Sequence, residues 1–458
     1  MATRYIYTKE DLQNIGAGDA DGAGWRVAGY DASWVMTDDY IIMNDIDLDG
    51  TVLTPIGGRG TASGSYIRFL GTLDGQGYKV YNGSVGGAQY YAGLFAFMGN
   101  GNNAGVGSGG YISNLYLYID VSSTHTDGMV GGVAGVCAHT AGEVSVYNVH
   151  VEGDITGAGH TGGIIGYYQA GTISTCSYKG TVVGGTSQTH GVSGIVGSTN
   201  ITVGTVKLYR CWVKEGTKIY GKYAAGGCMS YVVNPGSQTN YRVQTEECAV
   251  HADIYVLGTI SGRTTTMHAR AFAYGKFDIL NCYFQGDQYI TEVDNIGYTS
   301  SLVYNKSGSY GETNVENCYA KSAFTNNAAT ANNYGGGIVT TQGSVKNVFF
   351  DSTINGLPSD DIGTAKTTAQ MKSIATYSAW DIVDYTEHDG KEETALWFIK
   401  DGEDYPRLWY EFIEPAPDVS VKIGGTFIKT ENLYLKTGGS WETADKLFVK
   451  QGGAWVRI

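Results

Sequence analysis

Apolar residues recur in short blocks along the middle of the chain, separated by glycine and polar residues. One block places an apolar residue after small ones. It reads AGLFA at 92, GGVAG at 131, GGIIG at 162, SGIVG at 193 and GGCMS at 226, with weaker copies RAFAY at 270 and SSLVY at 300 and a last copy GGIVT at 336. Its apolar position falls at Leu94, Val133, Ile164, Ile195, Cys228, Phe272, Leu302 and Ile338. A second block alternates with the first: ISNLYL at 112, SVYNVHV at 145, ISTCSY at 173, LYRCWV at 208, TEECAV at 245, ILNCYF at 279, VENCYA at 315 and VKNVFF at 345. Its key position is Leu115, Val149, Cys176, Cys211, Cys248, Cys282, Cys318 and Val348. A third apolar position follows six or eight residues later, at Val121, Ile155, Val182, Ile219, Ile254, Ile290, Phe324 and Ile354. One such unit cannot bury its apolar side alone, whereas stacked units bury a continuous core. The pattern predicts an all-β fold: a capped parallel β-helix of about eight coils, three short strands each, about 35–40 Å long before its caps. Alternation alone also fits a sandwich, but a sandwich has no need of three columns repeating in register.

The flanks read differently. Thr8-Lys9-Glu10-Asp11 has the form of a helix capping box, with Leu12 and Ile15 on one face. Residues 1–68 are predicted to be an N-terminal cap with the first strands, 69–360 the coils, and 361–413 a C-terminal cap. Residues 414–420, with Glu414-Pro-Ala-Pro, read as a short stiff linker. Beyond it, Gly pairs at 424/425, 438/439 and 452/453 recur with a period of 14. Gly-Gly between alternating residues is a hairpin signal, so 421–458 is predicted to be a small module of three β-hairpins with Phe427, Trp441 and Trp455 equivalent.

Several of these segments together carry a resemblance. Thr8–Ile15, Asp45–Leu48, Pro55-Ile-Gly, Gly71-Thr-Leu-Asp-Gly-Gln-Gly, Gly93-Leu-Phe and the Asn-Cys-Tyr units are joined by a closing segment, Thr368-Ala-Gln-Met-Lys, Trp380-Asp-Ile, Leu396-Trp-Phe-Ile and Tyr405-Pro-Arg-Leu. Over roughly residues 5–410 the chain resembles GLUG-motif repeat proteins. The resemblance implies a β-helical surface or adhesive protein, and the motif brings no enzymatic residues with it. The later coils depart from the Gly-rich consensus at Arg270–Tyr274 and Ser300–Tyr304, where a bulge or longer side loop is expected. The Val-Lys-x-Gly-Gly-x-Trp pattern of the C-terminal module is similar to short repeats at the C-termini of bacteriophage tail proteins.

Composition narrows the function classes. The chain has 68 glycines but only six prolines among 458 residues, with no G-X-Y period, which excludes collagen. With 42% apolar and 16% charged residues it is too apolar for disorder. A net charge of −14 argues against a nucleic-acid partner. No run of 18 apolar residues predicts membrane insertion, and Met1-Ala-Thr-Arg-Tyr begins no secretory signal. Seven cysteines without a CxxC make neither a disulfide framework nor a zinc ribbon. Six of them fall in the apolar columns and are read as small buried hydrophobes. Vertical neighbours such as Cys248 and Cys282 lie within disulfide range, but parallel side-chain vectors oppose the bond.

Candidate chemistry is sparse. There is no GxSxG, HExxH or P-loop, and no cofactor is implied. The eight histidines, 125, 139, 150, 160, 190, 251, 268 and 388, stand singly. Asn114, Asn148, Asn281, Asn317 and Asn347 precede the second apolar column and read as a structural ladder, since Asn tolerates tight turns and bonds a stacked copy. Asp45, Asp47 and Asp49 form a weak cation candidate on one strand face, with a solvated surface as the plainer reading. Glu152, Asp154, Glu215, Asp253 and Asp287 would line a groove if the scaffold were a polysaccharide depolymerase; their variation between coils favours edge decoration. Loops of varied length, such as Gly99–Gly110 and Tyr231–Gln244, are where a rigid scaffold builds binding surfaces. Tyr90, Tyr91, Tyr167, Tyr168, Tyr231 and Tyr241, with Trp441 and Trp455, are therefore the ligand-binding candidates.

Taken together, the sequence predicts a bacteriophage tail fibre or tip adhesin located on the virion. It would bind a host cell-surface glycan or other receptor, alongside other tail proteins, with a homotrimer allowed but not required. The alternatives are a depolymerase, a secreted bacterial surface adhesin and a structural spacer of the virion.

Overall fold

The computed structural model describes the chain apart from residues 20–29, 60–65, 100–108, 139–143, 187–189, 200–204, 233–241, 259–265, 271, 275–276, 292–295, 306–312, 329, 340–342, 358–361, 386–394 and 413–419, and apart from the connections 424–425, 430–433, 438–439, 444–447, 452–453 and 458 in the C-terminal module. Of the side chains from 420 onward, nothing is described.

Parallel pairing builds the body. A first sheet of 23 strands runs from Thr3–Ile6 at one end to Val345–Asp351 and Thr364–Lys366 at the other. A second sheet of eight strands runs from Tyr91–Ala92 to Thr330–Tyr334. A third has five strands from Phe95–Met98 to Met229–Val232. The register advances one coil per step: Ile112 lies beside Val146, then Ile173, Leu208, Thr245, Ile279 and Val315. Each coil thus enters three faces, and the fold is the parallel β-helix that the repeat predicts.

The three apolar columns point inward. From Leu94 through Leu302, from Leu115 through Val348 and from Val121 through Ile290, the described members are buried. Phe324 is half-buried. Ile354 does not complete an eighth strand: it lies in a short helix, Ser352–Asn355, capped by the Asp351 carboxylate. Where the Gly motif lapses, the third sheet breaks. It resumes as a separate three-stranded sheet of Ala273–Tyr274, Val303–Asn305 and Gly337–Val339.

A corner residue explains the asparagine pattern. Within the first sheet, the residue before each member of the second apolar column is left-handed, with φ between 50° and 54° at Asn114, Asn148, Thr175, Arg210, Glu247, Asn281, Asn317 and Asn347. Asn is among the few non-glycine residues that adopt this conformation readily. Its amide also bonds the coil next to it: Asn148 Nδ2 donates to Asn114 Oδ1 at 2.9 Å, and Asn347 Nδ2 to Asn317 Oδ1 at 3.0 Å. In the middle of the rod an ion pair takes over, with Arg210 Nε donating to Glu247 Oε2 at 2.6 Å.

The cysteines behave as apolar residues. All seven are free and buried. Burial pushes the Cys176 thiol up to about 12. Cys211 and Cys248 donate their backbone N–H groups to the sulfurs of Cys248 and Cys282, at 3.4 and 3.3 Å.

Both ends of the body are covered. The helix Lys9–Asn14 carries the predicted capping box between Thr8 and Asp11, and drives Leu12 and Ile15 into the core. At the other end Ile362 and Leu357 join the core of the last coil. The rest of the C-terminal segment does something the sequence did not indicate. From Thr368 to Glu411 it laps back along the outside of the first sheet, setting Tyr377, Trp380, Trp397, Tyr405 and Leu408 against an outward row of Ala249, Tyr283 and Tyr319. Among the described residues no helix is long and apolar enough to cross a membrane.

Candidate functional site

Strand alternation decides which of the predicted aromatics reach the surface. In the strand Ile165–Tyr168, Tyr167 lies outward, in register with Val136 and Ser198. Its neighbour Tyr168 points inward, is fully buried, and donates its hydroxyl to Val144 O at 2.7 Å. Tyr168 is therefore a core residue and not a ligand contact, a correction to the sequence reading. Tyr231 continues the outward column beside Ser198, but its side chain lies outside the described residues, as does the whole of Tyr241. Trp441 and Trp455 fall on strands whose side chains are not described.

Three of the predicted tyrosines come together. Tyr91 and Tyr167 gather at the corner where the second sheet passes into the third, over an apolar base of Phe97, Val136 and Ala138, and Tyr90 stands against Tyr91. Tyr66 joins them from an antiparallel pair of short strands, Gly58–Arg59 and Tyr66–Ile67. Tyr90 stands edge-on to Tyr91 at 4.8 Å between centroids, and Tyr91 edge-on to Phe97 at 5.6 Å. Tyr66 is tilted against Phe97 at 5.4 Å. The Arg68 guanidinium lies 5.1 Å from the Phe97 ring centroid. The base is buried, while Tyr90 is 37% exposed and Tyr91 and Tyr167 are half-buried. The result is a patch of ring faces in several planes on a rigid support.

Three histidines border this patch, although the sequence placed them apart. The His125 ring lies 4.9 Å from Tyr90, His160 lies 5.1 Å from Tyr167, and His190 lies 5.1 Å from His160. Each precedes a second-sheet strand in successive coils, so a separation of one repeat length was the signal that would have joined them. His160 Nδ1 accepts the Gly191 N–H at 3.1 Å. Burial pushes the His160 imidazole down to about 3, with His190 acting in the same direction. An imidazole that is neutral when folded and ordinary when unfolded contributes stability fully present above pH 6.5 and lost as pH falls towards 3. The expected slope is about 1.4 kcal/mol per pH unit between those limits. His160→Gln should flatten the pH dependence of the unfolding free energy by that amount, measured by denaturant titration at pH 4.5, 5.5 and 6.5.

Other candidates resolve into scaffold. Tyr220, Tyr255 and Tyr289 stack on successive coils at 4.6 and 4.5 Å with near-parallel planes, so each ring face between neighbours is already used. The groove carboxylates form a capping column. Asp154 Oδ1 accepts the Thr181 N–H at 3.0 Å, Asp253 Oδ1 that of Asp287 at 3.1 Å, and Asp287 Oδ1 that of Ala323 at 3.1 Å. Glu152 faces Lys179 at 3.7 Å, and Glu215 is exposed beside the left-handed Gly216. Asp47 accepts from Asp49 N and Asn82 Nδ2, both at 2.8 Å, and Asp45 from Lys79 N at 2.9 Å. Among the described residues no His, Cys, Asp or Glu cluster is arranged to hold a metal.

One buried polar group serves the lap. Glu411 accepts the Tyr283 hydroxyl at 2.6 Å and lies 3.2 Å from His251 Nε2, with the two side chains 2% and 7% exposed. Burial and the adjoining Glu411 carboxylate raise the Tyr283 phenol well above its ordinary value.

No family model matches the sequence, and no curated protein does. Among solved structures the chain is similar to a protein provisionally described as an immunoglobulin A1 protease from Bacteroides ovatus. The two share 16% identity with a TM-score of 0.42, over 67% of this chain and 84% of that one, a likeness that does not bear on activity.

Proposed function

We propose that this chain is a receptor-binding surface protein of a bacteriophage tail, whose rigid β-helix presents the tyrosine patch to a host cell-surface glycan. The observation that carries the reading is the convergence of Tyr91 and Tyr167 over a packed base, with the exposed Tyr90 set against Tyr91. Rings held by packing offer stacking surfaces and hydroxyls at little ordering cost. The placement on a phage tail rests on the similarity of the C-terminal repeats to those of tail proteins. Binding rather than cleavage is favoured because Asp154, Asp253 and Asp287 are already acceptors for the main chain.

The test is to incubate the protein with host surface polysaccharide and follow polymer size by gel filtration. Polymer of unchanged length should co-elute with the protein, and Tyr90→Ala should weaken that association about tenfold. Shortened polymer would make the protein a depolymerase. Absence of co-elution would leave a spacer or a protein receptor.

A further inference from the structure

A cation is built into the tyrosine patch. Phe69 is fully buried and bridges Met98 in parallel register. Alternation then turns the preceding residue, Arg68, outward beside Phe97. Phe97 is in register with Val136, and Val136 with Tyr167, so Arg68 heads the same outward column that underlies the patch. Its guanidinium lies 5.1 Å from the Phe97 ring centroid and 5.6 Å from that of Tyr66. Tyr66 stands 5.9 Å from Tyr91, and Tyr91 stands 4.8 Å from Tyr90. A continuous run of rings therefore leads from the cation to the exposed Tyr90. Beyond it lie the His125 ring, at 4.9 Å, and the exposed Asp127. Burial, and after it the charge of Asp127, raises the Tyr90 phenol above its ordinary value. The patch thus has a polarity, with a cation among the rings at one end and a carboxylate acting on the other.

The guanidinium suits a particular anion. Its flat face meets aromatic rings, while its N–H groups lie in the guanidinium plane and match the two oxygens of a carboxylate. Arg68 is half-buried, and burial pulls its pKa below the ordinary value. A charge held partly out of water attracts an anion through less screening than one on an open surface. It does so on a chain of net charge −14, whose overall field gives an anion no help. We infer that the tyrosine patch recognises a carboxylated sugar, Arg68 meeting the carboxylate while Tyr90 and Tyr91 stack on sugar rings. The inference rests on the glycan-binding reading above and adds the ligand's charge and the residue that reads it. A carboxylate borne on the stacked sugar itself stays close to the rings, where Arg68 is. Phosphates along a polyol backbone bring no ring to stack, so a polymer of that kind fits less well.

The test measures retention of the full chain on immobilised polygalacturonate, on the same polymer fully methyl-esterified, and on poly(glycerol phosphate). Retention is expected on the acid polymer, weakened about tenfold when its carboxylates are esterified. Arg68→Gln should lose about tenfold or more on the acid polymer and nothing on the ester. Arg68→Lys should recover part of that loss, since it restores the charge without the planar fork, and so separates recognition from any cost to folding. Tyr90→Ala should weaken retention on both polymers. No retention on the acid polymer, equal retention on the ester, tighter retention on poly(glycerol phosphate), or wild-type binding by Arg68→Gln would overturn the inference. Host polysaccharide whose binding responds to Tyr90→Ala but not to Arg68→Gln would sink this inference and leave the glycan reading standing. Binding indifferent to both substitutions would sink the two together.

Discussion

Trp397→Ala should release the C-terminal lap from the β-helix at a cost of about 3–5 kcal/mol. Trp397 is fully buried, 4.7 Å from Trp380 and about equally close to Tyr283 and Tyr319, at 5.9 and 6.2 Å. It is the ring on which the two halves of the interface meet. Its loss leaves a cavity too large for its neighbours to fill, and the polar group at Glu411 then opens to water. Two measurements follow the release. Limited proteolysis should cut within 368–411 while the coils stay intact. Burial also holds the Tyr283 and Tyr319 phenols well above their ordinary values, so absorbance titration should show them ionising at lower pH in the variant. An unchanged proteolysis pattern and an unchanged titration would mean that the lap is held without Trp397.

Gly163→Ala should destabilise the coils themselves, by about 3 kcal/mol or more. The position has ordinary backbone angles, so strain in φ is not the cause. A Cβ there would stand 2.1 Å from Gly194 O and 2.3 Å from the Tyr178 ring, and neither a main-chain carbonyl of the adjoining coil nor a buried ring can withdraw. Because each coil rests on its neighbours, the loss should appear as a lower denaturant midpoint for the whole rod. A variant with wild-type stability would show that the coils can separate locally at this corner.

The columns, the N-terminal capping box and the asparagine ladder were legible because each is a local rule repeated at a fixed period. Asn281, for example, announces a left-handed corner by its residue type alone. At the equivalent corners Thr175, Arg210 and Glu247 carry no such signature, and only the stacking of coils reveals that they share the conformation. The tyrosine candidates divide for a similar reason. Tyr167 and Tyr168 are equivalent in composition, and the inward or outward choice depends on strand register. The histidine border of the patch and the Glu411–Tyr283–His251 group were hidden because their members are distant in sequence. His251 and Glu411 are 160 residues apart, and nothing in periodicity links a coil to a segment that folds back along its side.

That returning segment would also decide how the rod responds to a pull from its C-terminal side. Tyr405 bonds Asp351 at 2.6 Å, Tyr319 bonds Pro406 O at 2.5 Å, and Tyr410 bonds Glu247 O at 3.0 Å, with Trp409 under the Arg210 guanidinium. The chain thus climbs several coils, and at Tyr410 it lies beside the coil of Glu247, not beside the last coil. A pull applied C-terminal to Tyr410 would load the lap in shear, so that contacts on several coils would have to fail together. A tail attached at the final strand would instead peel the coils apart one at a time. The coils that carry the tyrosine patch lie on the N-terminal side of that point, outside the line of such a pull.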